Sequence, residues 1–224
     1  MRVERIESGV PGLDDLLEGG FAKGSINLIA GTTGTCKTTL CTQFMWHGLQ
    51  KGEKGVYITL EESAEDIKDE AAMFGMDFQK YVDEKKCIIE YVYPKNIAEI
   101  DFEIFKRIKE INATRFVLDS ITLLGFYMEG TEKLRDKIFM LLQRLKKFGV
   151  TTLIIGEIPE DTKTLSRFGF EEFVADSVIV LHYLEYSAGG TPRSLAIRKM
   201  RRTNHGTDIY PFEVTGKGIV VRKG

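Results

Sequence analysis

Apolar runs of strand length recur along the chain, each closed by polar or glycine residues: Ile26 to Ala30, Gly55 to Leu60, Cys87 to Val92, Arg115 to Ser120 and Thr151 to Glu157. Such runs fit buried strands of a parallel-type sheet. Between them the apolar spacing becomes helical. Leu40, Phe44 and Leu49 recur within Thr38 to Gln50, Ile100, Ile104 and Ile108 line one face of Ile97 to Ile111, and helices are also expected over Ala64 to Phe74 and Thr131 to Phe148. Residues 1 to 24 read as turn, short helix and turn, and Gly75 to Lys86 is polar and ambiguous. Leu123 to Glu129 reads as a loop with exposed Phe126, Tyr127 and Met128, and Glu160 to Phe170 as a mobile polar segment. From Val174 the strands crowd together, over Ser177 to Tyr186, Ser194 to Met200, Tyr210 to Val214 and Ile219 to Val221, joined by turns such as Ala188-Gly189-Gly190-Thr191-Pro192. The pattern predicts an α/β fold, a mostly parallel sheet flanked by helices and extended by antiparallel hairpins. One domain over 1–224 is expected, with an arm at 1–24, a core at 25–174 and a hairpin extension at 175–224.

With 224 residues, 43% of them hydrophobic, the chain is long enough for one large core. Its 31 basic and 33 acidic residues leave a formal charge of -2, which excludes a global basic field for nucleic acid and confines any such contact to local runs such as Arg144 to Lys147. The three cysteines, at 36, 41 and 87, lack both the even count of a disulfide framework and metal-ligand spacing, and suit a reducing compartment. No apolar run approaches the ~20 residues of a membrane span, and Met1-Arg2-Val3-Glu4-Arg5 lacks the apolar core of a signal peptide. A cytoplasmic location is expected.

The chemistry concentrates in Gly31-Thr32-Thr33-Gly34-Thr35-Cys36-Lys37-Thr38-Thr39, which links the first buried strand to the first long helix. Glycines at 31 and 34 allow backbone angles that turn successive N–H groups toward an anion. The helix start adds unpaired N–H groups and a positive dipole end, Lys37 a point charge, and Thr38 a hydroxyl for Mg²⁺. The pattern is that of a phosphate loop, Gly, four residues, Gly-Lys-Ser/Thr, with Cys36 in the second glycine position. A Cβ and sulfur there are expected to crowd the phosphates or open the loop. The competing explanation is a glycine-rich structural turn, against which the flanking strand and helix weigh.

Glu61 and Glu62 follow the second strand at a carboxyl end, where ligands bind in open α/β sheets. Within reach of a water beside a γ-phosphate they can orient and deprotonate it. They also suit the start of the next helix, with Ser63 as its cap, and both uses can hold together. Asp119, ending an apolar strand, is expected beside Thr38, where it can hold Mg²⁺ directly or through water. Glu157 ends a further strand, placed to sense a γ-phosphate or simply to be solvated. Strand alternation puts Lys199 and Arg201 on one face, by default a solvated basic strand end.

The combination resembles the KaiC-like branch of the RecA-superfamily ATPases over nearly the whole chain. The resemblance is carried by Ser8-Gly9-Val10-Pro11-Gly12-Leu13-Asp14, the phosphate loop, Tyr57-Ile58-Thr59-Leu60-Glu61-Glu62-Ser63, Val117-Leu118-Asp119-Ser120, and Glu172-Phe173-Val174-Ala175-Asp176 with Lys199 to His205 and Tyr210-Pro211-Phe212. It implies a RecA-like P-loop core, ATP or ADP with Mg²⁺, and a homo-oligomeric ring, usually a hexamer, with nucleotide between subunits. It implies Lys37 and Thr38 on phosphate and metal, Lys37, Glu61 and Glu62 as catalytic groups, and Asp119 as the second acidic position. Lys199, Arg201 and His205 match residues that reach a neighbouring subunit's nucleotide. In RecA-like motors a loop in the region of Phe126 faces the ring axis, where the aromatics could touch a partner or polymer; ordinary packing against the neighbouring subunit is the use expected here. Arg202 stands where the family commonly has glycine, and Glu172-Phe173 where the circadian-clock member phosphorylates a Ser-Thr pair, so self-phosphorylation is not expected.

Three functions follow from this reading. The first is a slow Mg²⁺-dependent ATPase whose oligomer regulates or remodels a protein partner; the second is a nucleotide-binding switch with little turnover because of Cys36. The third is a recombinase-paralogue role on DNA, resting on fold analogy and local basic runs.

Overall fold

A computed structural model of the chain describes residues 3–93, 97–126, 131–160, 162–183 and 192–222. The arm contains β1 (Arg5–Ile6), α1 (Leu13–Leu16) and β2 (Phe21–Ala22), with β1 and β2 paired antiparallel. The main body runs β3 (Ile26–Gly31), α2 (Lys37–Gln50), β4 (Gly55–Thr59), α3 (Ala64–Ala72), α4 (Phe78–Asp83), β5 (Cys87–Tyr91), α5 (Ile97–Ile111), β6 (Arg115–Asp119), α6 (Ile121–Phe126), α7 (Thr131–Phe148) and β7 (Thr151–Glu157). It ends with α8 (Glu171–Val174), β8 (Ser177–Tyr183), β9 (Arg193–Met200), β10 (Ile209–Thr215) and β11 (Gly218–Val221).

Nine strands form one sheet in the order β11-β10-β9-β8-β3-β7-β6-β4-β5. From β5 to β8 every pairing is parallel, and from β8 to β11 every pairing is antiparallel. The parallel alignment brings the carboxyl ends of β3, β4, β6 and β7 to one edge, where open α/β sheets bind ligands. Because the core strands are buried on both faces, their side chains alternate between two cores. Ile26, Leu28 and Ala30 of β3 belong to one core with Ile104 of α5 and Ile138 and Leu142 of α7. Ile29 faces the other way, toward α2 through Leu40, Phe44 and Met45.

The fold departs from the sequence expectations at several places, among them the paired β1 and β2 in an arm expected to hold only turns and a short helix. The parallel body continues past 174, since β8 pairs parallel with β3 while also opening the antiparallel run with β9. Leu123 to Phe126 is helical, because Ile121 and Leu124 are buried at helical spacing; Phe126 is exposed as expected, and Tyr127, Met128 and Glu129 lie outside the described residues. The ambiguous Gly75 to Lys86 contains α4, capped where the Asp77 side chain accepts from the Gln79 N–H, with Phe78 buried against Trp46. Glu160 to Phe170 is polar in sequence, yet Ser166 and Phe170 are buried. The buried Glu171 carboxylate accepts from the Ser166 hydroxyl and from the Phe168 and Phe170 N–H groups, which anchors residues 166–170.

One buried cation joins the arm, α2 and the sheet. The Arg115 guanidinium donates to both Glu53 carboxylate oxygens at 2.9 Å, to the Glu7 carbonyl at 2.9 Å and to the Phe44 carbonyl at 2.7 Å. It also lies 4.4 Å from the Phe44 ring centroid. Gly48 in α2 leaves the space this side chain occupies. Removing one partner of a buried ion pair strands the other charge. Glu53→Ala is therefore expected to lower the unfolding free energy by about 3 kcal/mol, measured by urea denaturation.

Candidate active site: a phosphate loop beneath converging carboxylates

Between β3 and α2 the chain makes two left-handed steps, Gly34 at φ 73° and Cys36 at φ 67°. Gly31 is required for space, because a Cβ there would meet Thr35 Oγ1 at 2.6 Å and the Leu181 carbonyl at 2.7 Å. At Gly34 the angle alone matters, since a Cβ would meet nothing within 4 Å. Cys36 keeps the loop formed despite its Cβ, at a cost of roughly 1–2 kcal/mol for a left-handed non-glycine residue. No side chain caps α2, so its first N–H groups stay available to an anion. The Lys37 ammonium folds back to donate to the Thr32 carbonyl at 2.7 Å, and the Thr35 hydroxyl to the same carbonyl at 2.8 Å. The loop borders a cavity of about 260 Å³ that also receives Glu61, Glu62, Asp119, Ile155 and Glu157.

Strand register explains the convergence. Thr59 of β4 lies opposite Asp119 of β6, and Glu157 ends β7 opposite Gly31. Thr38 Oγ1 donates to Asp119 Oδ2 at 3.0 Å, and the Tyr57 hydroxyl donates to the same oxygen at 2.7 Å. The Thr59 hydroxyl accepts from the Glu61 and Glu62 N–H groups and donates to the Glu62 carbonyl, folding the turn that aims both acids. Glu61 Oε1 accepts from the Ser120 hydroxyl. Ser63 then starts α3 with a reciprocal capping box to Asp66, so the structural use of this turn coexists with the chemical one. One ammonium, open helix amides and a hydroxyl–carboxylate pair form a donor set that fits a polyphosphate with a divalent cation.

The electrostatics suit the same ligand. Burial lowers the Lys37 pKa, opposed by Glu157, Asp119 and Glu61. Burial pushes Asp119 up to about 6, with Glu61 adding to the rise and the Tyr57 and Thr38 hydrogen bonds opposing it. Burial, followed by Glu70, Asp119, Glu61 and Asp66, raises Glu62. Burial and the Asp119 charge hold the Tyr57 hydroxyl well above its ordinary pKa, so it remains a donor.

The expected residues from 31 to 39, with Glu61, Glu62 and Asp119, gather around this cavity or its helix. Lys199, Arg201 and His205 stand apart from it. The Lys199 ammonium donates to the carbonyls of Glu172 at 3.0 Å and Ala175 at 2.6 Å, and Arg201 pairs with Asp176 at 3.5 Å. His205 borders a second cavity of about 610 Å³, which touches the phosphate loop at Thr32. Two site residues escaped the sequence reading. Arg193 at the start of β9 interacts with the Cys36 thiol and lies 5.2 Å from the Tyr183 ring, and no motif spacing marks it. Tyr57 looks in sequence like any strand tyrosine. Of the basic run Arg144 to Lys147, Arg144 pairs with Asp101 and covers Phe105, and Lys146 pairs with Asp176, so two of its cations are engaged within the chain.

Asp119 generates a pH prediction. Its pKa of about 6 in the folded chain lies above the ordinary 3.8, so the folded state holds the proton more tightly. Stability from this group is complete below the lower value and is lost as pH rises through the upper one, a cost of up to about 3 kcal/mol at neutral pH. Asp119→Asn, which still accepts from Thr38 and Tyr57, is expected to stabilise the metal-free protein in urea at about pH 7.5. The gain should vanish near pH 4.

A family model described as the KaiC ATPase matches residues 6–224. The circadian clock oscillator protein KaiC of Prochlorococcus marinus subsp. pastoris is 35% identical over 99% of this chain, which spans 45% of that protein. A circadian clock protein of Synechocystis, KaiC3, is 32% identical, and the chain spans 46% of it, so less than half of each of these clock proteins is matched. A UPF0273 protein of Thermotoga maritima is 36% identical over 98% of this chain and 96% of its own length. In the crystal structure of a KaiC-like protein from Pyrococcus horikoshii OT3, 43% identical, the same fold recurs with a TM-score of 0.91 over 99% of this chain and 100% of that one. Sharing sequence and fold with these proteins over nearly all its residues, the chain belongs to the KaiC family of ATPases.

Proposed function

We propose that the chain is a cytoplasmic Mg²⁺-dependent ATPase that works as a homo-oligomeric ring and regulates or remodels a protein partner. The observation that carries the reading is the meeting of Lys37, Thr38, Asp119 and the two adjacent glutamates around one cavity at the carboxyl edge of the sheet. The amides from Gly34 to Thr38 hold the β- and γ-phosphates of ATP, and the Lys37 ammonium leaves the Thr32 carbonyl to join them. Thr38 and Asp119 hold Mg²⁺, which when bound neutralises phosphate charge as the terminal phosphoryl group is transferred to water. Glu61, fixed by Ser120, orients the attacking water, and Glu62, whose raised pKa brings it closer to neutrality, accepts its proton.

The ring rests on family membership. Lys199, Arg201 and His205 belong to the proposal as cations that reach a neighbour's nucleotide, for which Lys199 must leave the α8 carbonyls it now caps. The Cys36 side chain, which borders the phosphate cavity where a glycine would leave space, is the ground for a second reading, a nucleotide-bound switch with little turnover. Neither self-phosphorylation nor a clock role forms part of the proposal.

Lys37→Ala is expected to abolish tight ATP binding by calorimetry, whereas Glu62→Gln keeps binding and lowers Mg²⁺-dependent phosphate release by about 10²-fold or more. Because the loop is already formed with cysteine, Cys36→Gly should change turnover by no more than about 30-fold, the upper end of the roughly 1–2 kcal/mol of its backbone strain. A much larger rise would favour the switch.

A further inference from the structure

Asp119 Oδ2 receives two buried donors, Thr38 Oγ1 at 3.0 Å and the Tyr57 hydroxyl at 2.7 Å. A carboxylate oxygen offers about two lone-pair sites, so both sites of Oδ2 are filled. Among the described residues Oδ1 accepts no hydrogen bond, and Asp119 borders the phosphate cavity. The family resemblance implies roles for Thr38 and Asp119; for Tyr57, although it opens one of the segments that carry the resemblance, it implies none.

Tyr57 owes its place to register. It lies opposite Val117 of β6, while Thr59 lies opposite Asp119, so Tyr57 and Asp119 are diagonal neighbours on one face of the sheet. Its ring is fully buried in the core that contains Cys41 and Val117, which leaves the hydroxyl little freedom to turn elsewhere.

Resting on the ATPase reading above, we propose that Tyr57 is a positioning residue for the divalent cation. Its hydroxyl locks the rotation of the Asp119 carboxylate, keeps Oδ2 on Thr38 and leaves Oδ1 to serve the metal or its water. The Thr38 hydroxyl can then donate its proton to Asp119 while its lone pair faces the cation. Without the phenol one Oδ2 site is buried and unfilled, and the carboxylate turns about its Cβ–Cγ bond. Partners of this kind, one bond removed from a metal, typically change affinity by about 10–100-fold.

The test uses the full chain with Mn²⁺ as the metal probe and ATP as the nucleotide. Mn²⁺ affinity in the presence of ATP is read by electron paramagnetic resonance, and ATP affinity in EDTA by calorimetry, for wild type, Tyr57→Phe, Asp119→Ala and the double variant. Tyr57→Phe is expected to weaken Mn²⁺ by about tenfold, to leave metal-free ATP binding near wild type, and to add nothing once Asp119 is alanine. An unchanged Mn²⁺ affinity, or an equal loss of metal-free ATP binding, would overturn the positioning role while the ATPase reading stands. A wild-type chain that binds neither ATP nor Mn²⁺ would remove both.

Discussion

The site depends on the parallel pairing of β3 between β7 and β8. In that register Gly31 lies beside Glu157 on one side and Leu181 on the other, and the chain leaves the sheet at a point hemmed in by both neighbours. A residue larger than glycine would strike Leu181 there, so the turn into the phosphate loop is dictated by the sheet that supports it. The same alignment brings β4 and β6 to the same edge, and with them the glutamate pair and Asp119. A slip of one residue in β6 would turn Asp119 to the opposite face and separate it from both Thr38 and Tyr57.

The cavity gathers like charges, and the fold tolerates this at a cost. Asp119, Glu61, Glu62 and Glu157 surround one lysine, and burial disfavours the charged forms of Lys37, Asp119 and Glu62. A cation and a polyphosphate would relieve the excess on both sides, the metal meeting the carboxylates and the phosphates meeting Lys37 and the helix amides. Such local instability is characteristic of binding sites, where stability is given up for a ligand's interactions.

Much of this was legible in sequence because the signals are local. The phosphate loop is contiguous, Asp119 and the glutamates end apolar runs, and the periods of α2, α5 and α7 are long enough to read. Cysteine at 36 and arginine at 202, where glycine was expected, are explained by the folded backbone. Both adopt positive φ, 67° and 60°, so the backbone keeps the glycine-like turn while carrying a side chain. Tyr57 and Arg193 could not be read, since their roles arise from diagonal neighbours and distant strands. The helix at Leu123 to Phe126 and the anchored segment before α8 were missed for a similar reason. Their order comes from tertiary burial and from one buried carboxylate, Glu171, which no short window reveals.

The account stands on residues 31 to 38 gripping the phosphates of a nucleotide with a cysteine in the loop. A crystal structure of the chain grown with Mg²⁺ and ADP tests that most directly. The account predicts phosphate oxygens against the amides of Gly34 to Thr38, Lys37 Nζ moved from the Thr32 carbonyl onto phosphate, and Thr38 on the metal. Nucleotide bound elsewhere, with Lys37 still on Thr32, would contradict it.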